Sequence, residues 1–135
     1  MARIADAMRE NIPEQFRNAY DAVMDDNNGR LSGPTSITIN SPEMAKRRGT
    51  LTSYLRYETQ FEKKYLELAI ITTARLMDCP YVWNAHAPAA RREGISDGLI
   101  DALRERKPIP MVSEEENIII AYATEFYTTH KVADS

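Results

Sequence analysis

The stretch from Phe61 to Met77 constrains this chain more than any other. Leu66, Leu68, Ala69, Ile70, Ile71, Ala74, Leu76 and Met77 fall on nearly every side of a helix. That spacing predicts a central, buried helix rather than one with a single apolar stripe. Asp78-Cys79-Pro80 then forces a restart, and a second helix is expected from about Pro80 to Glu93, with Gly94 as its C′ residue. Two helices separated by so short a break must run antiparallel. A tight helical hairpin is therefore expected at the centre of the fold.

The remaining segments read as shorter helices around it. Pro13 opens a helix from Glu14 to about Asp25, with Phe16, Ala19, Tyr20 and Val23 at i, i+3, i+4 and i+7. Asp25-Asp26-Asn27-Asn28-Gly29 stops it. Arg30 to Asn40 is expected to be a loop with a break at Gly33-Pro34. Its β-prone run Ser36-Ile37-Thr38-Ile39 is taken as extended chain, because no partner strand exists for it. Ser41-Pro42-Glu43 starts a helix that ends near Leu55, with Ser41 as N-cap. Ser96 caps a short helix from Asp97 to Arg106, and Pro108 and Pro110 break the chain. Ser113-Glu114-Glu115-Glu116 is a capping box for a helix ending near Thr129. The expectation is a single-domain, all-α helical bundle over residues 1–135. Residues 1–40 supply an N-terminal helix and loop, and residues 41–130 supply the helical core.

Charge and motifs exclude several classes of function. The formal net charge is -3, and the 17 basic and 20 acidic residues are interspersed. The longest basic cluster, Lys46-Arg47-Arg48, reads as a solvated helix face, so no nucleic-acid partner is expected. The single cysteine, Cys79, allows no internal disulfide and suits a reducing cytosol. The N-terminal stretch mixes charged and apolar residues where a secretory signal would be continuously apolar, and no window could span a membrane. A cytoplasmic location and no membrane partner follow as expectations. Two scattered histidines and one cysteine offer no zinc-ligand spacing, so no metal is expected. Neither a Gly-rich phosphate loop nor a Gly-x-Ser-x-Gly elbow is present, and no cofactor is expected.

Three residues could carry chemistry: Glu67, His86 and Cys79. An ionised carboxylate inside the apolar helix would cost several kcal/mol unless paired or protonated. Glu67 is therefore either half of a structural ion pair, with Arg75 or Arg91 as partner, or a carboxyl working in proton transfer. His86 lies on the next helix, with Val82, Trp83, Ala89 and Ala90 on its own face. The small alanines leave room for a ligand, and the hairpin brings His86 toward Glu67. Cys79 stands at the start of the second helix, where unpaired backbone N–H groups favour negative charge. It precedes His86 by roughly 10 Å of helical rise, so the two cannot touch directly. A thiol activated by that histidine belongs at Val82 or Trp83.

The run Leu66-Glu67-Leu68-Ala69-Ile70-Ile71 through Ala74-Arg75-Leu76, followed by Cys79-Pro80-Tyr81-Val82-Trp83-Asn84-Ala85-His86, closely resembles the carboxymuconolactone decarboxylase-like superfamily, which includes the alkyl hydroperoxidase D-type proteins. Ser41-Pro42-Glu43 and Leu55-Arg56-Tyr57-Glu58-Thr59 look like the longer, single-domain branch of that group. The resemblance runs from about Pro13 to Phe126 and implies the alkyl hydroperoxidase D-like fold. The hydroperoxidase pattern is a Glu, two cysteines separated by two residues, and a His four residues after the second cysteine. Glu67, Cys79 and His86 match it, whereas Val82 stands where the second cysteine would be. That departure removes an internal disulfide cycle.

The lactone decarboxylase members keep the His and need no cysteine pair. Their chemistry asks for a general acid, an enolate-stabilising donor and a cation for the leaving carboxylate. The resemblance thus implies an enzyme acting on a small carboxylated or lactone substrate, with His86 as acid and Glu67 orienting it or relaying its proton. Trp83, Tyr57, Arg56 and Arg75 are the candidates to hold the substrate. Two alternatives stay open: a one-cysteine, peroxiredoxin-type activity through Cys79, and a non-catalytic helical oligomer. Ile118, Ile119, Ile120, Tyr122, Phe126 and Tyr127 make the last helix unusually apolar, and Lys131-Val132-Ala133-Asp134-Ser135 looks like the approach to another helix. Either a partner chain covers that surface or the 135 residues are a fragment. The resemblance implies homo-oligomers, whether dimers, trimers or hexamers.

Overall fold

A computed structural model of the chain describes residues 7–133, and the fold among them is all-helical, with seven α-helices and no strand. The helices are α1 (Arg17–Asp26), α2 (Pro34–Thr38), α3 (Pro42–Ser53), α4 (Lys63–Leu76), α5 (Pro80–Arg92), α6 (Asp97–Glu105) and α7 (Glu114–Thr129). They fall into two compact units, Met1–Thr59 and Gln60–Ser135. Among the described residues, no helix is long and apolar enough to cross a membrane.

In the first unit, α1 packs against α3 around Ala7, Ile12, Tyr20, Val23, Ile39 and Ala45. The Tyr20 hydroxyl donates to the Ala7 carbonyl at 3.1 Å, so the buried phenol carries no unpaired polar atom. Two sequence expectations need correction here. The run Ser36 to Ile39 is not extended chain, because Pro34–Thr38 is a short helix. Gly33 (φ 53) turns the chain, Pro34 is preset for the first helical turn, and the Ser36 hydroxyl donates back to the Gly33 carbonyl. That turn delivers Ile39 into the core with no exposed surface. Burying such a side chain is worth roughly 1.5–3 kcal/mol, enough to override a weak β preference. Ser41 precedes α3 but its side chain makes no capping hydrogen bond. A π-helical turn, Tyr54–Glu58, closes the unit, with the Thr59 N–H donating to the Tyr54 carbonyl at 3.2 Å.

In the second unit, α4 packs against both α5 and α7, and α6 closes one end. Leu68, Ile71, Ala87, Ala90, Ile95, Leu99, Ile100, Leu103 and Ile120 form its core. The expected hairpin is present, and its geometry follows from a Schellman ending of α4. Cys79 N–H donates to the Ala74 carbonyl at 2.8 Å and Asp78 N–H to that of Arg75 at 3.3 Å, with Asp78 left-handed at φ 47. Gly94 (φ 93) ends α5 in the same way. Ser96 and the Ser113–Glu116 box cap α6 and α7 through their side chains, as the sequence indicates.

The expectation that α4 is buried all round also needs correction. Leu68, Ile71, Thr72 and Ala74 are buried, but Leu66, Ala69, Ile70 and Leu76 are half-buried and Met77 is exposed. Within this unit α5, α7 and the short α6 cover only part of its circumference. Lys131–Ala133 continue α7 as non-helical chain, and Asp134 and Ser135, part of the expected approach to another helix, lie outside the described residues.

Candidate functional site

Glu67 sits in the middle of α4 and His86 in the middle of α5. Antiparallel packing of the two helices brings the side chains together: His86 Nδ1 lies 2.8 Å from Glu67 Oε2. Their side chains keep 17% and 12% of their surface, so the pair is largely withdrawn from water but not sealed. A hydrogen bond this short, with a carboxylate as one partner, is of the strong class. When Glu67 is ionised it accepts from Nδ1–H, and the neutral imidazole then carries its lone pair on Nε2. Arg75 and Arg91, the other partners considered for Glu67, are engaged elsewhere. Arg75 pairs with Asp78 and donates to the Arg104 carbonyl, and Arg91 pairs with Asp97.

Cys79, Trp83 and Arg75 meet in a different place, a cleft of about 630 Å³ between the end of α4, one face of α5 along its length, and Arg104 of α6. Residues 80, 83, 84, 87, 88 and 91 of α5 line it, a stripe at helical spacing. His86 falls off that stripe, and Glu67 lies two turns, roughly 10 Å, back along α4 from Ala74. The structure thus brings the predicted residues together in two groups, Glu67 with His86 and Cys79 with Trp83 and Arg75. Arg56 and Tyr57, the other substrate-holding candidates, belong to the first unit, in its π-helical turn, where Arg56 is half-buried and Tyr57 exposed.

Cys79 is the N-cap residue of α5, half-buried, with Pro80 at the first helical position. Asp78 beside it accepts from Arg75 at 2.6 Å and from Arg106 at 2.8 Å. The hydrogen bond from Arg75, followed by the charge of Arg106, holds the Asp78 carboxyl below the usual carboxylate range. Pro88 stands inside α5 and has no N–H, so the Asn84 carbonyl has no i+4 backbone donor. Both residues line the cleft. Asn84, Arg104 and Pro88 were not singled out from sequence, although the α5 stripe through Trp83 marks the first and last of them on α5. Arg104 comes from α6 and has no such signal. Among the described residues, no group of three His, Cys, Asp or Glu side chains could hold a metal ion.

Residues 42–119 match the sequence profile described as "CMD: Carboxymuconolactone decarboxylase family". No curated protein and no solved structure matches the chain.

Proposed function

The chain belongs to the carboxymuconolactone decarboxylase family, and from that premise we propose that it processes a small carboxylated lactone by proton transfer at Glu67 and His86. The observation that carries this reading is the 2.8 Å contact between His86 Nδ1 and Glu67 Oε2. In the decarboxylation, the bond between the substrate carbon and its carboxylate breaks and CO₂ leaves. The electron pair passes into the conjugated lactone carbonyl as an enolate. A proton from His86 Nε2 then adds to carbon, and solvent restores it. Glu67 acts at Nδ1, orienting the ring and stabilising the imidazolium before it gives up its proton.

A second reading rests on Cys79, whose residue lines the 630 Å³ cleft together with Trp83. A thiolate there would attack a hydroperoxide, breaking the O–O bond, leaving Cys79 as sulfenic acid and releasing an alcohol. Since Cys79 is the single cysteine of the chain, a second thiol from outside would have to reduce it.

One set of assays separates the two readings. Carboxymuconolactone is supplied to the wild type, His86→Gln, Glu67→Gln and Cys79→Ser, and CO₂ release is followed. Release that survives in Cys79→Ser and fails in the other two variants supports the first reading. Dependence on Cys79, with indifference to Glu67, contradicts it.

A further inference from the structure

A second cleft, of about 410 Å³, opens between α4, α6 and α7. A cavity of this size lies in the range that takes small organic ligands. Leu76, Leu103, Ile109 and Ile120 give it apolar walls. Thr72 lies in the α4 wall at 1% exposure, and its hydroxyl has no hydrogen-bond partner. Helical threonines ordinarily satisfy the hydroxyl on the carbonyl four residues back. Thr124 and Thr128, in the α7 wall of the same cleft, do so at 2.6 Å each. Thr72 does not, although it is the most buried of these threonines. A buried, unpaired hydroxyl is a disfavoured arrangement that a ligand oxygen would relieve.

The rim is cationic. Arg75, Arg106 and Lys107 line the cleft, and no carboxylate does. Asp78 is shared between Arg75 and Arg106, and Glu105 between Lys107 and Arg104, so the three cations of the cleft answer to two carboxylates that stand outside its lining. We infer that this cleft binds a small amphipathic oxo- or hydroxy-carboxylic acid. Its apolar body fills the space between Leu103 and Ile120, its carboxylate meets Arg106 and Lys107, and its second oxygen function pairs with Thr72. Threonine has two accessible rotamers in a helix, so the hydroxyl can turn toward a ligand without moving α4.

The probe is 4-oxo-4-phenylbutyrate, compared by NMR titration with 4-phenylbutyrate, which lacks the ketone, and with the oxo acid's methyl ester, which lacks the charge. The oxo acid should bind saturably and shift Ile120 and Thr124 resonances. Loss of the ketone should weaken binding about fivefold, the size of one neutral hydrogen bond, and loss of the charge about tenfold or more. Thr72→Val, which replaces an unpartnered hydroxyl with a methyl and should fold normally, is expected to erase only the ketone's advantage. Arg106→Gln combined with Lys107→Gln should erase only the charge's advantage. No saturable shift at these residues, equal binding of all three compounds, or a ketone advantage that persists in Thr72→Val would each overturn the inference.

Discussion

His86 Nδ1 and Glu67 Oε2 stand 2.8 Å apart although the two residues are nineteen positions apart in sequence. The α4–α5 hairpin, bent at Asp78-Cys79-Pro80, is what makes the contact possible. A long apolar helix tolerates a carboxylate at position 67 because this hydrogen bond offsets part of its desolvation. The same bond engages Nδ1 of the His86 imidazole.

If the pair transfers protons, its two members should fail together. Glu67→Gln and His86→Gln are each expected to lower turnover of a lactone acid by about 10²-fold or more, the usual contribution of a positioned acid or base. The double variant should lose little beyond either single one, because the residues act as a unit. Circular dichroism should show α4 intact in all three. Full turnover in Glu67→Gln would make the contact a structural one.

Replacement of Cys79 discriminates between the two activities. Cys79→Ser should retain lactone turnover, since the thiol belongs to the cleft and not to the Glu67–His86 pair. With peroxide, the wild-type thiol is expected to stop at a sulfenic acid or an intermolecular disulfide, read by mass spectrometry. Fast repeated turnover with a dithiol reductant would contradict this.

The brace between α4 and α7 should make stability depend on pH. Lys64 Nζ lies 2.9 Å from Glu116 Oε1, while Glu116 Oε2 accepts from the Ser113 N–H at 3.0 Å. The Lys64 hydrogen bond holds the Glu116 carboxyl below the usual carboxylate range, and the bond to Glu116 holds the Lys64 ammonium above its usual one. The carboxylate's contribution is therefore present above its ordinary titration range and lost as pH falls through the lowered value. That of the ammonium is lost only as pH rises through the raised value. Lys64→Met should cost about 1–3 kcal/mol at neutral pH, the size of a charge-assisted hydrogen bond, and much less in acid. Denaturant melts at both pH values check it; an equal loss at each would refute the assignment.

Assembly is expected to bury the outer face of α7. Ile118, Tyr122 and Phe126 are 58%, 56% and 45% exposed, and the last two rings stack at 6.2 Å. Contiguous apolar surface of this kind normally marks an interface, and closed homo-oligomers are the usual solution. Analytical ultracentrifugation at micromolar concentration should find an oligomer that Tyr122→Glu dissociates. A monomer in both would remove this expectation.

Local signals were legible in the sequence because each is decided within a few residues. The Ser113–Glu116 box, Gly94 past α5 and the break before Pro80 needed no knowledge of distant contacts. The meeting of Glu67 and His86 was legible too, since a short hairpin leaves two facing helices little freedom of register. Ile39 was not, because its burial at the end of α2 depends on a core assembled from α1 and α3. The brace from Lys64 to Glu116 joins residues far apart in sequence, and nothing in either segment selects that pairing among the many charges present. The separation of Cys79 from the Glu67–His86 pair follows from helical rise, yet the cleft around Cys79 needs α6, whose placement no motif gives.

The nitrogen shifts of the His86 imidazole test the central claim most directly. Protein labelled with ¹⁵N at histidine, observed in wild type and Glu67→Gln, reports which ring nitrogen carries the proton in the neutral form. An ionised Glu67 accepting from His86 predicts a proton on Nδ1 and a basic Nε2 in the wild type, with that preference weakened or reversed in Glu67→Gln. A neutral wild-type ring that carries its one proton on Nε2, unchanged by the substitution, would contradict the proton-transfer account.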